Sequence, residues 1–142
     1  MSQLFPNIID ESSIWWHQII KNVRIAEESE NQFMVSASIY DSSKRHISSG
    51  INNPTKSHPT QARYASMSGN VDKIFLHAEI SALIKSIKTK KDPHTIVVVR
   101  VKKDGSFGTS KPCPVCQLAI EETSIKNVIY YDGYNFVMET RK

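Results

Sequence analysis

Along residues 10–29 the hydrophobic positions Trp16, Ile19, Ile20, Val23 and Ala26 recur at helical spacing, which predicts a helix with one apolar face. Asp10, Ser12 and Ser13 are candidate caps for it, and Glu11 suits its positive end. Trp15 falls beside that face. Phe33, Val35, Ala37 and Ile39 then share one parity, the period of a half-buried strand, and Asp41-Ser42-Ser43 reads as a turn. Residues 45–49 form a short second strand that Gly50 and Asn52-Asn53-Pro54 are expected to end. Residues 53–70, with Pro54, His58, Pro59 and Gly69, have the weakest periodicity. They are expected to be a loop-rich insertion near the site, with a short helix at 60–65.

Periodicity returns at residues 76–90, where Ile80, Leu83, Ile84 and Ile87 form a second helical stripe. Its lysines, Lys85 and Lys88 among them, face outward near the C-terminus, as the helix dipole favours. The run Thr-Ile-Val-Val-Val-Arg-Val over 95–101 is nearly continuous β-branched sequence, expected of a central strand covered on both faces. Lys102-Lys103-Asp104-Gly105 turns the chain. A third helix is expected from about Cys113, with Val115, Leu118 and Ala119 inward. Residues 128–131 read as a strand, Asp132-Gly133 as a turn and residues 134–138 as a final strand or edge. Helices interleaved with strands predict one α/β domain over residues 1–142, without repeats or linkers.

Composition narrows the picture. The 142 residues suit one compact domain, and 39% hydrophobic residues argue against a disordered chain. No run approaches the eighteen apolar residues of a membrane span. Eighteen basic and 14 acidic residues give a net charge of +4, which assists contact with phosphates but does not imply nucleic acid. Lys85, Lys88, Lys90 and Lys91 crowd one segment, and Arg100, Lys102 and Lys103 the next; a solvated face is the simpler reading of both. The two cysteines, Cys113 and Cys116, are too close for a bridge that would staple a domain. A redox pair or a pair of metal thiolates remains, and either suits a reducing, cytoplasmic setting.

Two motifs carry chemistry. His77-Ala78-Glu79 opens the second helix and Pro112-Cys113-Pro114-Val115-Cys116 opens the third, with a buried-looking strand between them. If parallel neighbouring strands deliver the two helix starts to one end of the sheet, His77, Cys113 and Cys116 converge on one ion. One nitrogen and two thiolates make a three-ligand Zn2+ set whose fourth position is open to water. Helix N-termini favour thiolates. Glu79 is not needed as a ligand. Beside a water made acidic by zinc, its carboxylate can take a proton and return it to a ring nitrogen. The water then adds to an amine-bearing carbon and ammonia leaves. Taken alone, the two cysteines also fit a thioredoxin-like redox pair, a structural half-site or coincidence.

Together, His77-Ala78-Glu79-Ile80-Ser81-Ala82-Leu83 and the run from Pro112 to Ile120 resemble the motifs of the cytidine/deoxycytidylate deaminase superfamily. The wording is closest to its deoxycytidylate, free-cytosine and tRNA-adenosine branches. The segment from Lys126 to Tyr131 is similar to the strand those branches place after the cysteine helix. The resemblance implies a three-layer α/β fold, a mixed five-stranded sheet flanked by helices, with Zn2+ as cofactor and Glu79 as the proton carrier. It also implies an asparagine contact to substrate, for which Asn52 is the candidate and Asn53 the lesser one, and it puts Ala78 among the substrate contacts. Arg63 is a candidate to hold a nucleotide phosphate and Tyr64 to stack on a base, with His58 and Lys111 at the rim. Each has an ordinary alternative as a surface or packing residue. The expected activity is hydrolytic deamination of a cytosine nucleotide or nucleoside, deoxycytidylate-like by preference, by a homo-oligomer. The alternatives are a deaminase of RNA or single-stranded DNA, and a zinc-stabilised binding protein without turnover.

Overall fold

In a computed structural model that describes residues 7–29, 34–53, 55–70 and 75–141, the chain folds into seven strands and four helices. In order they are β1 (Asn7–Ile9), α1 (Trp16–Glu28), β2 (Met34–Tyr40), β3 (His46–Ile51), α2 (Pro59–Met67), α3 (Ala78–Thr89), β4 (Thr95–Val101), β5 (Phe107–Gly108), α4 (Pro114–Glu121), β6 (Asn127–Tyr131) and β7 (Phe136–Thr140). Phe33 and Pro54 lie outside the described residues.

One mixed sheet runs in the order β1-β7-β6-β4-β2-β3, with β5 also paired to β4. Among the described residues only the β4–β6 pair is parallel; the other strand pairings are antiparallel. The sheet therefore has seven strands where five were expected, and the two additional ones are short. β1 adds three residues to the β7 edge and buries Ile9 under α1. β5 exists because the turn ending at Gly105, where φ is +87°, folds Phe107 and Gly108 back onto Val101 and Arg100.

The β-branched run of β4 is covered on both faces, as its sequence predicts. Ile96 and Val98 pack with Ala37 and Ile39 of β2 against α2, α3 and α4. Val97, Val99 and Val101 face Trp15, Ile19 and Ala26 on the α1 side. The result is three layers, α1, sheet, and the remaining helices.

Several expectations shift. The helix expected from Asp10 begins at Trp16, because the Asp10 carboxylate accepts from the backbone N–H of Ser12 and holds a turn there. Its buried face includes the polar Asn22, whose Oδ1 accepts from Ser38 Oγ at 2.6 Å and whose Nδ2 donates to Gln18 C=O at 2.8 Å. Ser36 and Ser38 are thereby buried without losing their partners. The stretch 53–70 is not mainly loop: α2 fills half of it, with Pro59 at its first turn and His58 Nδ1 accepting from Thr60 N–H at 3.1 Å. On α3 the expected stripe fails at its end, since Ile87 is 73% exposed.

Small residues carry the contact of α3 instead. Gly50 does not end β3 but lies inside it, opposite Ala37, where α3 crosses. A Cβ at Gly50 would stand 2.6 Å from the Ala78 carbonyl oxygen, 2.6 Å from the Ala82 nitrogen and 2.7 Å from Ser81 Cβ. Ser48 Oγ donates to the Ala82 carbonyl at 2.8 Å beside this contact. Gly50→Ala is therefore expected to lower unfolding free energy by about 2–3 kcal/mol, as overpacking does. Urea denaturation measures this, and wild-type stability in the variant would show that α3 does not rest on Gly50.

Candidate metal centre and substrate pocket

The topology decides where the helices begin. β3 and β4 run in the same direction because each is antiparallel to β2. They are not neighbours, as the sequence suggested, since β2 lies between them. Even so, α3, reached from β3 through α2, and α4, reached from β4 through β5, start beside each other, with His77 and Cys113 in contact. His77 is the residue before α3 and Cys113 the residue before α4; both are extended, with φ/ψ of −80°/155° and −68°/168°. Cys116 and Glu79 lie in the first turns that follow.

The His77 ring meets both sulfurs. Nδ1 lies 3.3 Å from Cys116 Sγ and 3.5 Å from Cys113 Sγ, and the three donor atoms are all within 4.8 Å of one another. With Zn–N of about 2.0–2.1 Å and Zn–S of about 2.3 Å, tetrahedral angles put nitrogen and sulfur about 3.6 Å apart. The spacing and the donor set, one imidazole and two sulfurs, fit such an ion. Both cysteines are free thiols, and Cys116 is fully buried.

Hydrogen bonds behind the cluster hold it in place. The backbone N–H of His77 donates to Oε1 of Gln61, a side chain with no exposed surface on α2. Asn53 N–H donates to Leu76 C=O at 2.8 Å, and Leu76 N–H donates to Lys56 C=O at 2.9 Å, tying the approach to His77 onto the end of β3. The sequence reading missed Gln61, because a lone glutamine in a weakly periodic segment gives no signal of burial.

A cavity of about 650 Å³ opens in front of these groups, within the range of small-molecule sites. Asn52, His77, Ala78, Glu79 and Cys113 line it together. Glu79 is buried, and desolvation raises its pKa, opposed by its own backbone N–H and the nearby His77 charge. Asn52 Oδ1 accepts from Val35 N–H at 3.3 Å, which sets its carboxamide at the wall. Asn53 is separated from it in role: its Oδ1 accepts from Thr55 N–H and Lys56 N–H and holds a turn.

Other candidates are not brought here. Tyr64 is buried between α2, α3 and α4, and Arg63 lies over its ring 5.2 Å from the centroid while pairing with Glu122 at 3.7 Å. These contacts are made behind the helices, away from the cavity. His58 caps α2. Lys111 does reach the rim, and Arg100, read from sequence as part of a solvated basic face, lines the cavity wall with it. Arg100 shares the parity of Ile96 and Val98, the signal that places it on the α3 side of β4.

Comparison with known proteins agrees with this arrangement. The family model described as the cytidine and deoxycytidylate deaminase zinc-binding region matches residues 10–132. No curated protein sequence matches the chain. Among solved structures, cytidine deaminase from Mycobacterium tuberculosis is similar at 17% identity with a TM-score of 0.54, over 88% of this chain and 90% of that one. A point mutant of the same enzyme is similar at 16% identity and a TM-score of 0.51, over 88% and 91%. At such identities the likeness is one of fold.

Gln61→Leu removes the acceptor for the His77 N–H and leaves that donor buried. Loss of an outer partner of this kind is expected to weaken metal binding about tenfold or more. Chelator competition with zinc-loaded protein measures it; wild-type affinity in the variant would remove Gln61 from any part in the centre.

Proposed function

Because the chain belongs to the family of the cytidine and deoxycytidylate deaminase zinc-binding region, we propose that it is a Zn2+-dependent hydrolase that deaminates a cytosine-containing nucleotide or nucleoside, deoxycytidylate-like by preference. The observation that carries this reading is the placement of a buried carboxylate, Glu79, in the same cavity wall as the His77, Cys113 and Cys116 cluster. A structural metal site has no use for that carboxylate, which separates this reading from a binding protein stabilised by metal.

In this reading His77 Nδ1 and the two Sγ atoms hold the ion. Bound there, Zn2+ supplies the Lewis acidity that lets water act as a nucleophile near neutral pH. Glu79 accepts a proton from the attacking water and delivers it to the ring nitrogen next to the amine-bearing carbon. The remaining water proton then passes to the amine, the carbon–nitrogen bond breaks, and ammonia leaves with the carbonyl of the uracil form in place. Burial keeps the Glu79 carboxylate out of bulk water at the cavity wall. Asn52 and Ala78, on the same wall, orient the base. Self-association and a single functional unit over residues 1–142 belong to the same proposal.

Zinc-loaded protein is expected to release ammonia from at least one of cytosine, cytidine, deoxycytidine and deoxycytidylate, with the absorbance shift of the uracil form. Glu79→Ala is expected to lower kcat by about 10²–10⁴-fold while zinc content stays near wild type. Absence of turnover on all four compounds would overturn the reading, and an active Glu79→Ala variant would overturn the role of the carboxylate.

A further inference from the structure

The pairing of β4 with β6 ends early. Its register runs Thr95–Asn127, Ile96–Val128 and Val97–Ile129, yet β4 continues to Val101 and β6 to Tyr131. Past Val97 the two strands part, and β4 pairs instead with β5 at Arg100 and Val101. A split at the carboxyl ends of parallel strands is where an α/β sheet has room for a ligand. Val98, the first residue of β4 past the split, lines the same cavity as His77 and Cys113.

One side chain occupies the split. Ser110, 6% exposed, donates its hydroxyl proton to the Val98 carbonyl at 2.8 Å and accepts from the Tyr131 N–H at 2.8 Å through the same oxygen. Its own N–H donates to the Tyr131 carbonyl at 3.0 Å. The hydroxyl thus joins β4 to β6 where the backbone ladder no longer does. Such a join needs one oxygen, a single carbon from the backbone, that donates and accepts together; Ser and Thr offer it.

The chain from Ser110 to the cysteines is short and stiff. Lys111 and Pro112 alone separate Ser110 from Cys113, and the proline ring fixes φ. The Pro112 carbonyl accepts from Gln117 Nε2 at 2.7 Å, and the Cys113 carbonyl from Gln117 N–H at 2.8 Å, which ties this link to the first turn of α4. A shift of Ser110 therefore passes to Cys113, whose Sγ lies 3.5 Å from His77 Nδ1. His77 is anchored separately, by Gln61 on α2. Two anchors on different elements set the spacing of one pair of donors.

We propose that Ser110 is a positioning residue for the metal centre: its hydroxyl closes the split between β4 and β6 and so sets Cys113 against His77. The inference rests on the metal-centre part of the deaminase reading and is independent of which compound is the substrate. A hydroxyl that only stabilised the sheet would leave metal affinity unchanged.

The test uses Co2+, whose absorption reports the arrangement of its ligands, as the probe in wild type, Ser110→Ala, Ser110→Val and Ser110→Thr. Thr keeps the hydroxyl, and Val keeps the shape of Thr without it. Ala and Val are expected to weaken Co2+ binding about tenfold or more, as loss of an outer partner does, and to shift the sulfur-to-metal and d–d bands. Thr is expected to stay close to wild type in both. Lower urea stability of metal-free Ala and Val variants, with wild-type Co2+ affinity and spectrum, would overturn the proposal, as would equal weakening in Thr and Val. If the variants without a hydroxyl do not fold, amide exchange in wild type decides. Zinc is then expected to slow exchange of the Tyr131 N–H more than that of Val128 or Ile129, and an equal change at all three would overturn the proposal. Co2+ binding that depends on the hydroxyl, without turnover of any cytosine compound, would support the positioning role and count against the deaminase reading.

Discussion

The direction shared by β3 and β4 is the constraint on which the site depends. β3 leads through α2 to α3, and β4 leads through β5 to α4; both helices pack on one face of the sheet, and His77 and Cys113 at their starts meet although 35 residues of chain separate them. Direction alone does not bring their side chains within 3.5 Å of each other. The remaining closeness comes from the contact of α3 with β3, where Gly50 lies against the backbone at Ala78 and Ala82. A strand with side chains at every position would hold α3 further off, and His77 with it. The backbone at the N-terminus of α3 is then fixed twice, by Gly50 from below and by Gln61 from α2.

Two of the buried polar sites, one on each face of the sheet, have opposite consequences. On the α1 side Asn22, Ser36, Ser38 and Tyr40 satisfy one another, and Ser38 extends the chain of bonds to Ser49 and His46. That network joins α1 to the sheet and leaves nothing aimed at a cavity. On the other side Glu79 is buried against a cavity that a small molecule can enter. The first arrangement fixes how a helix docks; the second keeps a carboxylate where its protonation responds to its neighbours.

Much of this was legible from residue types and spacing. The β-branched run of β4, the strand parity of Val35, Ala37 and Ile39, and the starts of α3 and α4 follow from local pattern, because apolar burial there has a simple period. The metal-ligating set was legible for another reason: His, Glu and two Cys residues at helix starts are rare in combination. What stayed hidden depends on distant partners. Asn22 and Gln61 are buried polar residues whose side-chain partners lie 14 to 16 residues away, Ser36 and Ser38 for Asn22 and His77 for Gln61. Ile87 continues a helical stripe that the sheet does not reach. Arg100 alternates correctly for the α3 face, yet its neighbours Lys102 and Lys103 made it look like part of a solvated run. Arg63 and Tyr64 lie away from the cavity, which sequence does not reveal because it cannot show which side of α2 faces the site.

The two cysteines also argue for a cation over a redox pair. The Cys113 thiol is pulled well below the ordinary range, first by its hydrogen bond with Cys116, while Cys116 is pushed up by the same bond and by burial. The two sulfurs lie together, with His77 Nδ1 facing both. Glu79 adds a further negative charge nearby, which raises Cys116 again. A disulfide would relieve the sulfurs but leave the imidazole and the carboxylate facing an uncharged bridge. His77 and the two cysteines as thiolates would hold a divalent cation together, and binding it would release the thiol protons. Every group at the joint start of α3 and α4 is then accounted for by a single ion, which no exchange of electrons between the two sulfurs would achieve.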